Sequence, residues 1–256
     1  MNVLVDGDLI VYRIGFAMQE EDQPLCSYYV DKLVDEITEN CKADKREIYI
    51  TSSDKSNFRY KIYPEYKANR KDVAKPIHYD FIREYLVSAY DATVVFEQEA
   101  DDAIGIKATE LKKDFVIASI DKDLKQIPGT HYNFVKKFFY EIDDIYGKQF
   151  FYRQLLSGDD SDNIPGCPGI GNIKAYNMLR GYEWESDMFL ECCNVYRSSY
   201  PKERSVGEIF EELQRNAQLL YIRRVRREIW SPPFDPSLTV KNGTFEVKIR
   251  DTYSHL

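Results

Sequence analysis

Five stretches of this chain run apolar and then end in acid: VLVDGD (3–8), EIYITSSD (47–54), TVVFEQEADD (93–102), FVIASIDKD (115–123) and LLSGDDSDN (155–163). The first four begin as β-branched, strand-like runs, and stretches with helical spacing separate them. Val30, Leu33, Val34 and Ile37 mark a helix over 27–41, Phe81, Ile82, Tyr85 and Leu86 one over 77–90, and a third follows from 99 to 112. Strand and helix in alternation over the first 150 or so residues specify an α/β fold with a mainly parallel sheet. HYNFVK and KKFFYEI add shorter strands, and from Phe151 the pattern turns helical, broken by a Gly/Pro cluster. In an open parallel sheet the carboxyl ends of the strands converge on one crevice, where ligands bind. The sequence therefore gathers Asp6, Asp54, Glu99, Asp101, Asp102, Asp121, Asp123, Asp159 and Asp162 toward a common place. So many carboxylates repel one another unless divalent cations neutralise them, which makes the feature a metal site.

Charge supports this reading. The formal net charge of −8 argues against a nucleic-acid partner at first sight, yet setting those nine acids aside brings the chain close to neutral. Bases cluster instead: Arg59, Lys61, Lys67, Arg70, Lys71 and Lys75 in one stretch, Arg223, Arg224, Arg226 and Arg227 in another. An acidic metal pocket flanked by basic patches fits a phosphodiester substrate. Three histidines without paired spacing and five cysteines without a CxxC pair leave no zinc site of nitrogen and sulfur ligands; the thiols are expected reduced. The absence of a long apolar run or a basic leader leads us to expect a cytoplasmic protein.

Three segments carry the chemistry. Glu99-Ala-Asp-Asp sets three acids at a strand-to-helix junction, with Glu99 and Asp102 on one helical face. A helix dipole accounts for one or two acids there; three, matched by Asp121-x-Asp123 after the next strand, point to metal. Asp6-Gly-Asp8 alone also fits the nucleophile motif of aspartate-dependent phosphatases, with Ser52 or Ser53 after the second strand, but that reading uses neither EADD nor the Gly/Pro cluster. The stretch GDDSDNIPGCPGIG (158–171) is the most specific. Gly169 and Gly171 form a tight hairpin between helices whose backbone N–H groups suit a phosphate of any sequence, and Lys174 lies in the next helical turn.

With these residues in place the chain resembles the 5′ nuclease superfamily: flap endonucleases, phage 5′–3′ exonucleases and the 5′-nuclease domain of bacterial DNA polymerase I. Asp6, Asp54 with the following Phe58-Arg59, the EADD box, the SxDKD box and the GDxxDNIPGxxGIG box stand in the family's order over roughly 1–225. The resemblance implies a PIN-like core over 1–155, a helical helix–hairpin–helix (H3TH) DNA-binding subdomain over 156–225, and a tail over 226–256 packing on the core. It implies one metal cluster held by Asp6, Asp54, Glu99 and Asp101 with Asp102 in support. A second would be held by Asp121, Asp123, Asp159 and Asp162, with Asp101 near both.

The segment 63–70 matches the family's YKxxR stretch, which opens a helical arch over the site. Arg59 then belongs to the DNA-binding surface, Lys67 and Arg70 contact the scissile phosphate, and Tyr66 stacks on a terminal base. Two or more Mg²⁺ ions, replaceable by Mn²⁺, are implied as cofactors, with a K⁺ ion at the hairpin carbonyls. The implied activity is metal-dependent 5′–3′ exonuclease and flap endonuclease action in DNA replication or repair. It is carried out by a monomer on DNA 5′ ends, flaps, branched structures and RNA–DNA hybrids, with no membrane partner. A DNA-binding protein without catalysis and a PIN-type ribonuclease are the competing readings. The chain departs from its relatives at Ile173, where they often carry lysine, and in the short span from Arg70 to Ile77. Asp8, Asp143 and Asp144 fall in no family motif and are expected outside the crevice; the basic stretch 58–76 is expected outside the core.

Overall fold

The computed structural model describes residues 1–71, 73–233, 238–241 and 244–247. The chain divides into two compact units, Met1–Gly147 with Ile222–Glu228, and Lys148–Tyr221 with Ile229–Leu256.

In the first unit the order is β1 (Asn2–Asp6), α1 (Gly7–Ala17), α2 (Gln23–Asn40), β2 (Lys45–Thr51), α3 (Arg59–Ile62), α4 (Tyr79–Tyr90), β3 (Thr93–Val95), α5 (Ala100–Leu111), β4 (Phe115–Ala118), β5 (Gly129–Asn133) and β6 (Phe138–Ile142). The strands form one six-stranded sheet in the order β3-β2-β1-β4-β5-β6. All pairings are parallel except β5 with β6, which run antiparallel with Tyr132 opposite Phe139. This is the mainly parallel α/β sheet that the alternating apolar runs specify.

β1 is buried on both faces, as a central parallel strand must be. Val3 and Val5 face a core built with Ile10, Val34, Ile48 and Ile82, whereas Leu4 faces a second core with Ile104, Ile117, Leu124 and Ile222. The return segment Ile222–Glu228 is thus part of the first unit, and its backbone runs so close to α5 that a Cβ on Gly105 would lie 2.5 Å from the Arg223 carbonyl oxygen.

The stretch 58–76 corrects the sequence expectation. Arg59 and Tyr66 are 3% and 2% exposed, and Pro76 packs against Gly15, so the segment is anchored in the core at these points, while Asn69, Arg70, Lys71, Val73, Ala74 and Lys75 stand exposed as expected. Asp72 lies outside the described residues.

The second unit takes in most of α6 (Asp144–Ser157), then β7 (Gly158–Asp159), β8 (Ile164–Pro165), α7 (Asn172–Leu179), α8 (Glu185–Ser199) and α9 (Val206–Leu220). Its core is aromatic: Phe151 packs on Tyr221 and Trp230, and Phe189 on Trp230. Ser205 and Glu208 cap α9 reciprocally, satisfying N–H groups that the helix itself leaves unpaired. Beyond Trp230 the structure describes an antiparallel pair, β9 (Leu238–Lys241) and β10 (Thr244–Val247). The rest of the tail expected over 226–256 lies, at 234–237, 242–243 and 248–256, outside the described residues. The five cysteines are buried and unpaired. Among the described residues no helix is long and apolar enough to cross a membrane.

Candidate metal centre

Strand order reverses beside β1, which pairs with β2 on one side and β4 on the other. At such a switch point the loops part and leave a crevice. An open cavity of about 230 Å³ lies there, lined by Asp6, Asp8, Glu99, Asp101 and Asp121, with Lys67 and Arg70 also on its wall. Asp6 ends β1 and caps α1: its Oδ1 accepts the Leu9 N–H at 3.3 Å and its Oδ2 accepts the Ser119 hydroxyl at 3.0 Å. The Ser119 hydroxyl oxygen in turn accepts the Asp121 N–H at 2.9 Å, tying the end of β1 to the loop after β4. Ser119 was missed in the sequence, although its place two residues before Asp121 marks it.

The acids of this cavity divide electrostatically. Burial raises the Asp101 carboxyl well above the carboxylate range, and the neighbouring Asp121, Asp6, Glu99 and Asp123 push it further. Burial, then Asp8 and Asp121, raise Asp6, against the opposing hydrogen bonds from Ser119 and Leu9. Glu99 goes the other way. Burial alone would raise it, but Lys67 and Arg59 hold it down to about 2. Asp6 and Asp101 are therefore set against one another, with Asp121 acting on both, an arrangement in which ionising all three carboxyls is unfavourable without a cation.

Among the described residues, no three or more acids, histidines or cysteines are drawn into a finished metal cage. What the cavity offers is a wall of hard oxygen donors around open space. That suits a hard divalent cation, which takes carboxylate oxygen.

Asp102 is a different kind of residue, and here the structure corrects the assignment of metal support. Its carboxylate is fully buried and receives four donors. Arg59 binds it through two nitrogens at 2.6 and 3.0 Å, and the N–H groups of Glu99 and Arg223 each bind at 3.1 Å. With about four lone-pair sites on a carboxylate, none is left for an ion. Arg59 is likewise committed. It is buried, lies 3.6 Å from Glu99, and stacks its guanidinium 4.6 Å over the Phe58 ring, so it is an internal brace and not a DNA contact.

Tyr66 is also reassigned. Its buried ring is closed to a base, and its hydroxyl donates to Glu99 Oε2 at 2.8 Å. The aromatic side chains on the cavity wall are Tyr12, 38% exposed, and Tyr79, their rings 5.5 Å apart. Lys67 pairs with the other Glu99 oxygen and holds a left-handed backbone (φ 55°), a conformation costing a lysine on the order of 1 kcal/mol.

Asp8, set aside in the sequence, faces the cavity. It accepts the Thr51 N–H with both oxygens, at 3.2 and 3.1 Å, while Arg83 binds the Thr51 carbonyl at 2.7 Å. Thr51 Oγ1 also accepts the Ala100 N–H at 2.9 Å, so this one residue joins the end of β2 to the start of α5. Nothing in the sequence signals Arg83, which reaches the site only through the fold. Asp54 is exposed, accepts the Ser56 N–H at 2.9 Å, and is not brought to the cavity wall. Asp123 stands one turn from Asp121, whose Oδ1 accepts its N–H at 2.8 Å.

Asp159 and Asp162 belong to the second unit. Asp159 is buried, with its Oδ1 accepting the Ser161 N–H at 2.9 Å; Asp162 closes the short turn that follows. Gly158, with φ +72°, lets β7 and β8 meet: a Cβ there would stand 2.4 Å from the Gly166 nitrogen. Asn216 braces the same hairpin through the Pro165 carbonyl at 2.7 Å. Further on, the Ile170 N–H reaches the Cys167 carbonyl at 3.1 Å, making a turn with Pro168 and Gly169 at its centre, and Gly171 then caps α7. Lys174 donates to the Gly169 carbonyl at 2.8 Å. The Gly169 carbonyl, one of the hairpin oxygens expected to face K⁺, thus faces an ammonium, a group of the same charge.

Residues 1–154 match the family described as 5′-3′ exonuclease, N-terminal resolvase-like domain. The chain is 30% identical over 268 residues to a 5′-3′ exonuclease of Buchnera aphidicola, covering 95% of this chain and 92% of that one. It is 27% identical over 213 residues to the flap endonuclease Xni of Shewanella oneidensis, covering 75% and 79%. Its fold resembles the crystal structure of the T5 D15 protein co-crystallised with metal ions, with a TM-score of 0.63, 20% identity, and coverage of 86% and 88%.

Proposed function

The chain belongs to the 5′-3′ exonuclease family, and from that premise we propose how its first unit cuts DNA near 5′ ends and flaps in replication or repair. The observation that carries the reading is the cavity at the switch point, where Asp6, Glu99, Asp101 and Asp121 share one wall with Lys67 and Arg70. Carboxylates alone would repel a phosphodiester; with cations between them they hold it, and the two basic residues extend the positive field outward.

Asp6, Asp101 and Asp121 are the residues we assign to hold divalent cations, with Glu99 as a fourth donor once Lys67 turns away from it. Mg²⁺ bound there supplies a water of lowered pKa and neutralises charge on the phosphate. Ser119 fixes Asp6 and the Tyr66 hydroxyl fixes Glu99, so these donors keep their positions before an ion arrives, while Asp8 and Asp102 tie the neighbouring backbone together. Lys67 and Arg70 face the non-bridging phosphate oxygens, Tyr12 offers a ring to a terminal base, and Gly169 with Gly171 offers backbone N–H groups to phosphates of the duplex. Asp159 and Asp162 keep, from the motif they share with the family, an assignment as metal ligands.

The test is a set of 5′-labelled substrates (flap, nick, blunt duplex and RNA–DNA hybrid) incubated with Mg²⁺, with product lengths and the mass of the protein in solution recorded. Cleavage near the 5′ end or flap junction by a monomer is expected. Binding without cleavage of any substrate would make the chain a DNA-binding protein only.

Lys67→Ala separates catalysis from binding. Turnover is expected to fall by about 100-fold, the usual scale for one group aimed at transition-state charge, with little change in KM. A rise in KM with unchanged kcat would make Lys67 a binding residue.

A further inference from the structure

A second cleft, of about 450 Å³, opens against the antiparallel edge of the sheet in the first unit. Asp121 lines both this cleft and the metal cavity, so the two adjoin at that residue. Its wall combines lysines with aromatic rings: Lys122, Lys125 and Lys136, and Phe138, Tyr140 and Tyr146. Phe138 and Tyr140 stand two residues apart on β6, the outermost strand, so both project from one face, with ring centroids 5.6 Å apart. Tyr140 is backed by the His131 ring at 5.2 Å, which holds it in place. Phe138 and Tyr146 are 45% and 36% exposed, so both rings are open to a ligand in the cleft. Three acids share the wall with the lysines: Asp121, on the side of the metal cavity, Glu141, which accepts the Thr130 hydroxyl at 2.7 Å, and Asp143, which accepts the Tyr146 N–H at 2.6 Å.

We propose that this cleft binds an unpaired nucleic-acid strand next to the metal cavity, its bases stacked on Phe138 and Tyr146 and its phosphates met by Lys122, Lys125 and Lys136. Rings and ammonium groups interleaved in a groove are the arrangement that single strands use, because unstacked bases present their faces. A duplex buries those faces and would leave the rings idle. The assignment rests on the nuclease reading above and adds to it where a strand outside the duplex runs.

Anisotropy titrations of the full chain, without divalent ion so that nothing is cut, would compare a blunt duplex with the same duplex carrying an unpaired strand. Phe138→Ala and Tyr146→Ala are each expected to weaken binding of the branched substrate about ten-fold, the scale of one lost base–aromatic stack, and to leave the blunt duplex unaffected. Lys136→Glu, which removes no packing, should weaken the same substrate and steepen no defect on the other. Cross-links from 5-iodouracil placed in the unpaired strand should fall within 136–146. Equal weakening on both substrates, no weakening on either, or cross-links confined elsewhere would each overturn the proposal. Cleavage by the unaltered chain with Mg²⁺, run in parallel, separates the two readings: a chain that cuts but whose variants bind normally refutes only this cleft.

Discussion

Asp101→Ala should abolish cleavage, by roughly a thousand-fold or more, while DNA binding and the fold survive. The prediction follows from the position of this carboxyl. It is the acid that burial and the greatest number of acidic neighbours act against, with Asp121, Asp6, Glu99 and Asp123 all raising its pKa. Such a group does not hold the protein together. In the absence of metal its removal relieves repulsion, so thermal stability without divalent ion should be unchanged or higher. The same variant should lose the stabilisation that Mg²⁺ gives the unaltered chain, since an ion stabilises only what binds it. Cleavage time courses and melting curves with and without Mg²⁺ check both halves. Full turnover by a well-folded Asp101→Ala would remove it from the site, and a large loss of metal-free stability would make its role structural.

Arg59→Met should show the opposite pattern, a loss of stability that metal does not restore. The arginine is 3% exposed and its partner Asp102 is 0% exposed, so removing the guanidinium strands a carboxylate in the interior. Breaking one partner of a buried pair costs about 3–5 kcal/mol, most of it the penalty of the charge left behind. Urea denaturation should register that loss, and Arg59→Lys should recover little of it, because an ammonium cannot make two parallel hydrogen bonds to one carboxylate. The double variant Arg59→Met, Asp102→Leu tests the explanation. With no charge left to strand, it should regain much of the lost stability. A single variant within about 1 kcal/mol of the parent would mean that water already reaches Asp102.

The two variants mark what the sequence could and could not disclose. Strand-like runs ending in acid are a local signal, and they located β1 to β4, the crevice and the carboxylates Asp6, Glu99, Asp101 and Asp121. The role of Asp102 was hidden because its partners lie 43 and 121 residues away, at Arg59 and Arg223. Composition also misled over 58–76. A buried ion pair and a solvated one spell the same letters, so Arg59 and Tyr66 read as surface residues. Asp8 was set aside for want of a motif, although it occupies the first turn of α1 and so points back along β1 toward Thr51. The cleft on β6 was invisible for another reason. KKFFYEI reads as an ordinary strand, and only the sheet order shows that it is an outer edge.

The return of Ile222–Glu228 to the first unit has a consequence for synthesis. The N-terminal unit of a growing chain commonly folds as soon as it emerges, but here Arg223 supplies a hydrogen bond to Asp102, and Ile222 a core side chain, long after Gly147 has been made. At ordinary translation rates the ribosome needs roughly 4–16 s to add the intervening segment, and through that interval the first unit waits with an incomplete core. A fragment cut at residue 154, where the family match ends, would remain in that waiting state permanently.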